Sequence, residues 1–218
     1  MPCYAYQGII PVVDPSSFVH PLASLIGDVI VGPGCFIAPG ASLRGDFGRI
    51  VVEGDSSIQD NVTVHAGADR DTVIHRGATI AHGAIIHGCE IGENSLVGMN
   101  AVVLDAAVIG PENLVAALAL VKSDAVTPPR SLVVGNPARV IRQFAPHQVT
   151  WRNDGQGEYQ RLAREALDPA IGILEAEPLR AVEPDRARVR SEAVAVRLSG
   201  STAERREARL ARHEGEAR

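Results

Sequence analysis

The chain has 218 residues, 45% of them hydrophobic but only 4% aromatic, and a formal net charge of −5. That length is one or two domains with ample apolar sequence for a core. The scarcity of rings leaves few platforms for nucleic-acid bases, and an acidic balance without a block of Lys or Arg argues against nucleic acid or an anionic membrane surface as partner.

Cys3, Cys35 and Cys89 lack metal-ligand spacing and do not read as a disulfide framework. No apolar stretch approaches the ~18 residues of a membrane span, so a reduced, soluble, cytoplasmic protein is expected.

Residues 1–17 read as a lead-in whose Pro11 and Pro15 keep the backbone extended. Thereafter a hydrophobic residue returns at every sixth position. The register is Val19, Leu25, Val31, Ile37, Leu43, then Val52, Ile58, Val64, then Val73, Thr79, Ile85, Ile91, Val97, Val103, Ile109, Val115 and Val121. Small residues follow many of these positions, as in Val31-Gly32, Ile91-Gly92 and Val97-Gly98, where a tightly wound coil has little room. This hexapeptide repeat predicts an all-β solenoid, a parallel β-helix over residues 18–145. The steps from Leu43 to Val52 and from Val64 to Val73 each exceed a hexad, which predicts short loops near 44–50 and 65–72, with a regular stack afterwards.

Thr127-Pro128-Pro129 interrupts the ladder, Ser131 to Val134 reads as a last strand, and Gly135-Asn136-Pro137-Ala138 as a turn leaving the coil. Residues 146–168 read as a C-terminal helix weakened around Gly155 and Gly157, packed on the β-helix or on a neighbouring subunit. Residues 169–218 alternate Arg, Glu, Ala and Pro with few large apolar residues and read as a charged, disordered tail.

Three hexads make one turn, so positions three repeats apart lie about 4.8 Å apart on one wall. Leu43, Val64 and Ile85 form such a column. Arg44 and His65 follow the first two, and His87 comes two after Ile85, which stacks them near one corner. His65 and His87 can therefore share an ion. His82 falls elsewhere on the perimeter and reaches that ion only from a neighbouring chain, in a threefold ring that is the natural closed assembly of a triangular solenoid. Three imidazoles at roughly 2.0–2.1 Å with no fourth protein ligand suit a catalytic zinc, which keeps a position open for water. His75 is read as solvated.

The combination of Arg44-Gly45-Asp46, Gln59-Asp60-Asn61, His65 six after the glutamine, and His82-Gly-Ala-Ile-Ile-His87 resembles the γ-class carbonic anhydrases. The resemblance spans about residues 8–167. It implies a left-handed parallel β-helix, a homotrimer, and Zn2+ or Fe2+ held between subunits by His65, His82 and His87. The run Trp151 to Leu167 is most similar to the branch encoded with phenylacetate or carnitine catabolism, whose phenylacetate type is associated with acyl-CoA thioester hydrolysis. By position, Arg44 would pair across the subunit boundary with a carboxylate, Asp46 or Asp60, and order the trimer, and Gln59 would hold a water or a bicarbonate oxygen.

The chain departs from that family where glutamates assist proton transfer. Phe47 follows Asp46, and the loop from Ala66 to Thr72 offers only Asp69 and Asp71, which predicts slow or buffer-dependent CO2 hydration. The first expectation is a hydroxide formed on zinc near pH 7 attacking CO2 to give bicarbonate. The alternatives are a metal-dependent acyl-CoA thioesterase, a hexapeptide acyltransferase with a lone histidine base, and a non-catalytic trimeric scaffold.

Overall fold

The computed structural model describes residues 3–153 and 155–173. The expected tail falls mostly on residues 174–218, which lie outside them. The described chain is a left-handed parallel β-helix of about seven turns followed by a single helix. Each turn lays short strands on three faces. Cys3–Tyr4, Thr63–His65, Ile85–His87, Val102–Val103 and Leu120–Val121 belong to the first face; Val12–Val13, Thr72–Ile74, Glu90–Ile91, Val108–Ile109 and Val126–Thr127 to the second. Phe18–Val19, Phe36–Ile37, Ser57–Ile58, Thr79–Ile80, Leu96–Val97, Leu114–Val115 and Ser131–Gly135 build the third. Two long strands, Ser24–Val31 and Ser42–Val52, bend round the corner between the first two faces and join them into one sheet.

Parallel pairing in register stacks the inward residues into three columns. Leu25, Leu43, Val64, Ile86, Val103 and Val121 fill one; Val31, Val52, Ile74, Ile91 and Ile109 the second; Val19, Ile37, Ile58, Ile80, Val97, Val115 and Val133 the third. These side chains are almost wholly buried, as a narrow interior packed to crystal-like density requires.

The columns correct the sequence register in one stretch. The buried residues of the fourth and fifth coils are Ile74, Ile80 and Ile86, each one position after the expected Val73, Thr79 and Ile85. Period-2 strands send neighbours to opposite faces, and the expected residues were the outward partners of apolar pairs. Phase is recovered by a five-residue step from Ile86 to Ile91, so the stack is less regular than expected beyond Val73.

Two further expectations are revised. Residues 44–50 remain in strand, because Ser24–Val31 pairs on both sides of the extra residues (Gly27 with Gly45, Val29 with Ile50) and absorbs them as a bulge. Residues 66–71 do leave the coil, in a loop closed by a bridge between Gly67 and Arg70. The lead-in segment supplies strands at Cys3–Tyr4 and Val12–Val13 that pair with Ser24–Val31, since its extended backbone finds an open ladder edge there.

At the other end the turn at 135–138 folds Ala138–Gln143 back antiparallel on Ser131–Gly135. The expected helix over 146–168 is shorter: a 3-10 turn at Pro146–Gln148 precedes α1, Glu158–Leu167, with Gly155 at φ 81° and Gly157 as N-cap separating them. α1 lays Tyr159, Leu162, Ala163 and Ala166 on Phe18, Phe36 and Ala38 of the third face of the same chain. Asn153 and Gln160 brace it by donating side-chain amide hydrogen bonds to the Asp55 carbonyl at 2.6 and 2.5 Å. Among the described residues no helix is long and apolar enough to cross a membrane.

The corrected register is testable by paired substitutions. Ile86→Ala, which opens a cavity in a fully buried column, should destabilise by about 2–5 kcal/mol in denaturant unfolding. Ile85→Ala, on the outward side, should cost under about 1 kcal/mol in the separated chain. Equal losses would contradict the register.

Candidate metal centre

Pairing places Arg44, His65 and His87 opposite one another on three successive coils. Their side chains leave the first face at its corner with the second, where Asp46 and Phe47 bulge out of the strand Ser42–Val52. His65 Nδ1 and His87 Nε2 face each other at 3.0 Å, with ring centroids 5.0 Å apart. The outer nitrogen of each ring meets a carboxylate: His65 Nε2 lies 3.0 Å from Asp46 Oδ1, and His87 Nδ1 lies 2.8 Å from Asp105 Oδ1. Arg44 Nη1 donates to Asp46 Oδ2 at 2.6 Å. Burial opposes the charge on Asp46, but hydrogen bonds from Arg44 and His65 outweigh it and hold the carboxyl below its ordinary value.

His82 stands at another corner, between the third and first faces. Its Nδ1 is 2.9 Å from Asp60 Oδ2 on the coil beneath, next to the buried Gln59. Asn61, at φ 59°, and Gly83, at φ 70°, supply the left-handed turns of that corner. A single chain therefore separates the expected residues into two groups: Arg44, Asp46, His65 and His87 in one, Gln59, Asp60 and His82 in the other. Among the described residues no group of three His, Cys, Asp or Glu side chains converges as a metal site within the chain.

Within one chain Arg44 pairs with its near neighbour Asp46, whereas the expected pairing reaches across a subunit boundary. Asp105 was not foreseen; with Ile86 as the inward residue it lies one coil beyond His87 at a spacing of 18 residues, which is the signal that would have found it. Phe47 sets its ring 5.4 Å from that of His65 while remaining largely exposed.

Cys35 and Cys89 are free thiols that burial pushes up to about 11 and about 12, too high to act as nucleophiles at neutral pH. His75 is not simply solvated: its Nε2 is 2.7 Å from Glu90 Oε1 and its Nδ1 3.2 Å from Glu53 Oε1. Burial works against its charge, but the hydrogen bond to Glu90 and the Glu53 carboxylate outweigh it and raise the imidazole above its ordinary 6.5.

A raised folded value means that the stability from His75 is full below the unfolded value of 6.5 and is lost as pH rises through the folded one. The midpoint of thermal unfolding should therefore decline as pH is raised above 6.5, and His75→Gln should flatten that decline. An unchanged slope would dissociate the Glu53–His75–Glu90 contacts from stability.

Comparison with known proteins places the chain in a family. Residues 71–105 match the family model described as bacterial transferase hexapeptide (six repeats). The carnitine operon protein CaiE of Salmonella agona (strain SL483) is 48% identical over 190 residues, covering 87% of this chain and 94% of that protein. A hexapeptide transferase family protein from Anaplasma phagocytophilum has TM-score 0.71 and 35% identity, over 75% of this chain and 96% of its own. A putative acetyltransferase from Bacillus cereus has TM-score 0.66 and 30% identity, over 67% and 86%. The chain belongs to the CaiE-like family of hexapeptide-repeat proteins.

Proposed function

We propose that this chain forms a trimer in which His65 and His87 of one copy and His82 of the next hold a divalent metal, and that the centre hydrolyses acyl-CoA thioesters. The observation that carries the reading is the facing pair of ring nitrogens. If Asp46 and Asp105 accept the protons of His65 Nε2 and His87 Nδ1, then His65 Nδ1 and His87 Nε2 are both bare lone pairs 3.0 Å apart. Two lone pairs repel unless a cation lies between them. Tetrahedral zinc with bonds of about 2.0–2.1 Å sets its nitrogen ligands roughly 3.3 Å apart, so the pair fits such an ion with little movement.

Asp60 at His82 Nδ1 likewise leaves His82 Nε2 bare and outward. The surface around His82 suits a second copy. Ile85, Met99 and Leu118 are exposed on the adjoining coils, and hexapeptide-repeat β-helices are typically trimeric.

When bound, a zinc or iron ion supplies Lewis acidity and an acidified water at such a site. The chain's own residues do the rest. Asp46, Asp105 and Asp60 fix the three imidazoles, Gln59 offers an amide to a water or substrate oxygen, and Arg44 holds Asp46 in place. In the reaction water adds to the thioester carbonyl and the C–S bond breaks, giving a carboxylate, a thiol and a proton.

The choice of a thioester is supported by the relative described as a putative acetyltransferase, since transfer of an acetyl group starts from an activated acyl donor. It is also supported by Phe47, which gives His65 an apolar neighbour suited to an acyl chain where proton relay to solvent would need an acid. CO2 hydration is the second reading, favoured by the grouping of Arg44-Gly45-Asp46, Gln59-Asp60-Asn61 and the three histidines.

Purified protein of known zinc content should release thiol from acetyl-CoA or an arylacetyl-CoA in a chelator-sensitive manner, with CO2 hydration slow and dependent on buffer. Chelator-sensitive hydration without thiol release would transfer the assignment to CO2. Metal-free protein that moves acetyl groups to an amine would instead make it an acyltransferase. His87→Ala should lose both metal and activity while remaining folded. Mixed trimers of His82→Ala and His87→Ala chains should recover some sites, and no recovery would refute sharing between copies.

A further inference from the structure

We propose that Asp105 is a positioning residue that sets the tautomer and direction of His87, so that Nε2 is the nitrogen presented to the ion; this rests on the metal reading above. Asp105 comes from the coil beyond His87. Its Oδ1 lies 2.8 Å from His87 Nδ1, and His87 is the one hydrogen-bond partner of its side chain among the described residues. A carboxylate there favours the Nδ1–H form and leaves the lone pair on Nε2.

The local backbone is built to admit that carboxylate. The five-residue step from Ile86 to Ile91 puts Gly88 in the left-handed region at φ 53°, and a Cβ added at Gly88 would lie 2.5 Å from Asp105 Oδ1. Ala106, at φ 57°, donates its N–H to the Gly88 carbonyl at 2.7 Å, which ties the turn carrying Asp105 to the turn after His87. Arg70, in the loop closed by the Gly67 bridge, packs its Cδ beside Gly88, while its guanidinium pairs with Asp69 and adds a weaker attraction toward Asp105.

The coil has little need of the contact for stability. Asp105 is 44% exposed and His87 35% exposed, and ion pairs of that exposure contribute little. A role in ligand geometry accounts for the arrangement better than a role in folding.

The test compares the unsubstituted protein with Asp105→Ala, Asp105→Asn and Gly88→Ala. Each is stripped by chelation, and zinc affinity is read by competition with a chromophoric chelator and the site by the absorption of the cobalt(II) form. Asp105→Ala should bind zinc about 10–100-fold more weakly and alter the cobalt spectrum with little change in thermal midpoint. Asp105→Asn should recover part of the affinity, because its amide oxygen still accepts the Nδ1 proton. Gly88→Ala, which displaces the carboxylate without removing it, should weaken zinc in the same direction. Unchanged affinity and spectrum in Asp105→Ala, with zinc bound normally by the unsubstituted protein, would overturn the role of Asp105 alone. Zinc uptake by none of the proteins would remove the metal reading and this role with it.

Discussion

In a parallel coil each strand bonds to the equivalent strand one turn away, and every inward side chain rests on its counterpart above and below. That registry governs the molecule, because the coils share one continuous core: Ile86 is stacked between Val64 and Val103, and Val64 between Leu43 and Ile86. A shift of one residue would turn a whole column outward. Departures from the six-residue repeat are consequently confined to corners and bulges, and they are where the polar residues gather. The extra residues after Leu43 carry Asp46 and Phe47, those after His65 carry Arg70, and the short step after Ile86 makes room at Gly88.

The same registry that builds the core builds the site. Outward positions repeat from coil to coil as faithfully as inward ones, so a residue type following a core position recurs in a stack. Arg44, His65 and His87 occupy one such stack, and Asp60 and His82 adjoin in another. His65, His82 and His87 are each met by an aspartate from another part of the coil path, at 3.0, 2.9 and 2.8 Å. The local charges are modest and half exposed, and their effect on stability is small beside that of the columns. Their effect is on the direction in which imidazole nitrogens point.

The C-terminal segment completes the division of the surface. α1 covers the third face through Tyr159 and Ala163, while Arg152 pairs with Glu112 and Arg76 with Asp55 to fasten neighbouring corners. The first face, flanked by the two histidine corners, is left free of the helix, with Ile85 and Met99 outward. Face assignment thus separates a face covered by α1 from a face that α1 leaves uncovered.

The fold was legible because a six-residue apolar period has one structural solution, and the stacking of His65 and His87 was legible because their spacing matched that period. What the sequence left undecided was the phase wherever both residues of a strand are apolar. Val73-Ile74 and Ile85-Ile86 satisfy the repeat equally well in either setting, and only the columns formed with Val52, Val64 and Ile91 select the second of each pair. The ends of the coil were undecided for a related reason: whether residues 3–13 pair depends on an open edge at Ser24–Val31 that no local pattern reveals. Asp105 escaped notice because its meaning depends on that phase. The sequence by itself determined the solenoid, the order of its strands and the set of candidate ligands, since these follow from periodicity and spacing. The tertiary structure decided which side chains face inward, which carboxylate meets which imidazole, and that His82 stands apart from His65 and His87 in one chain, because those are relations between coils far apart in sequence.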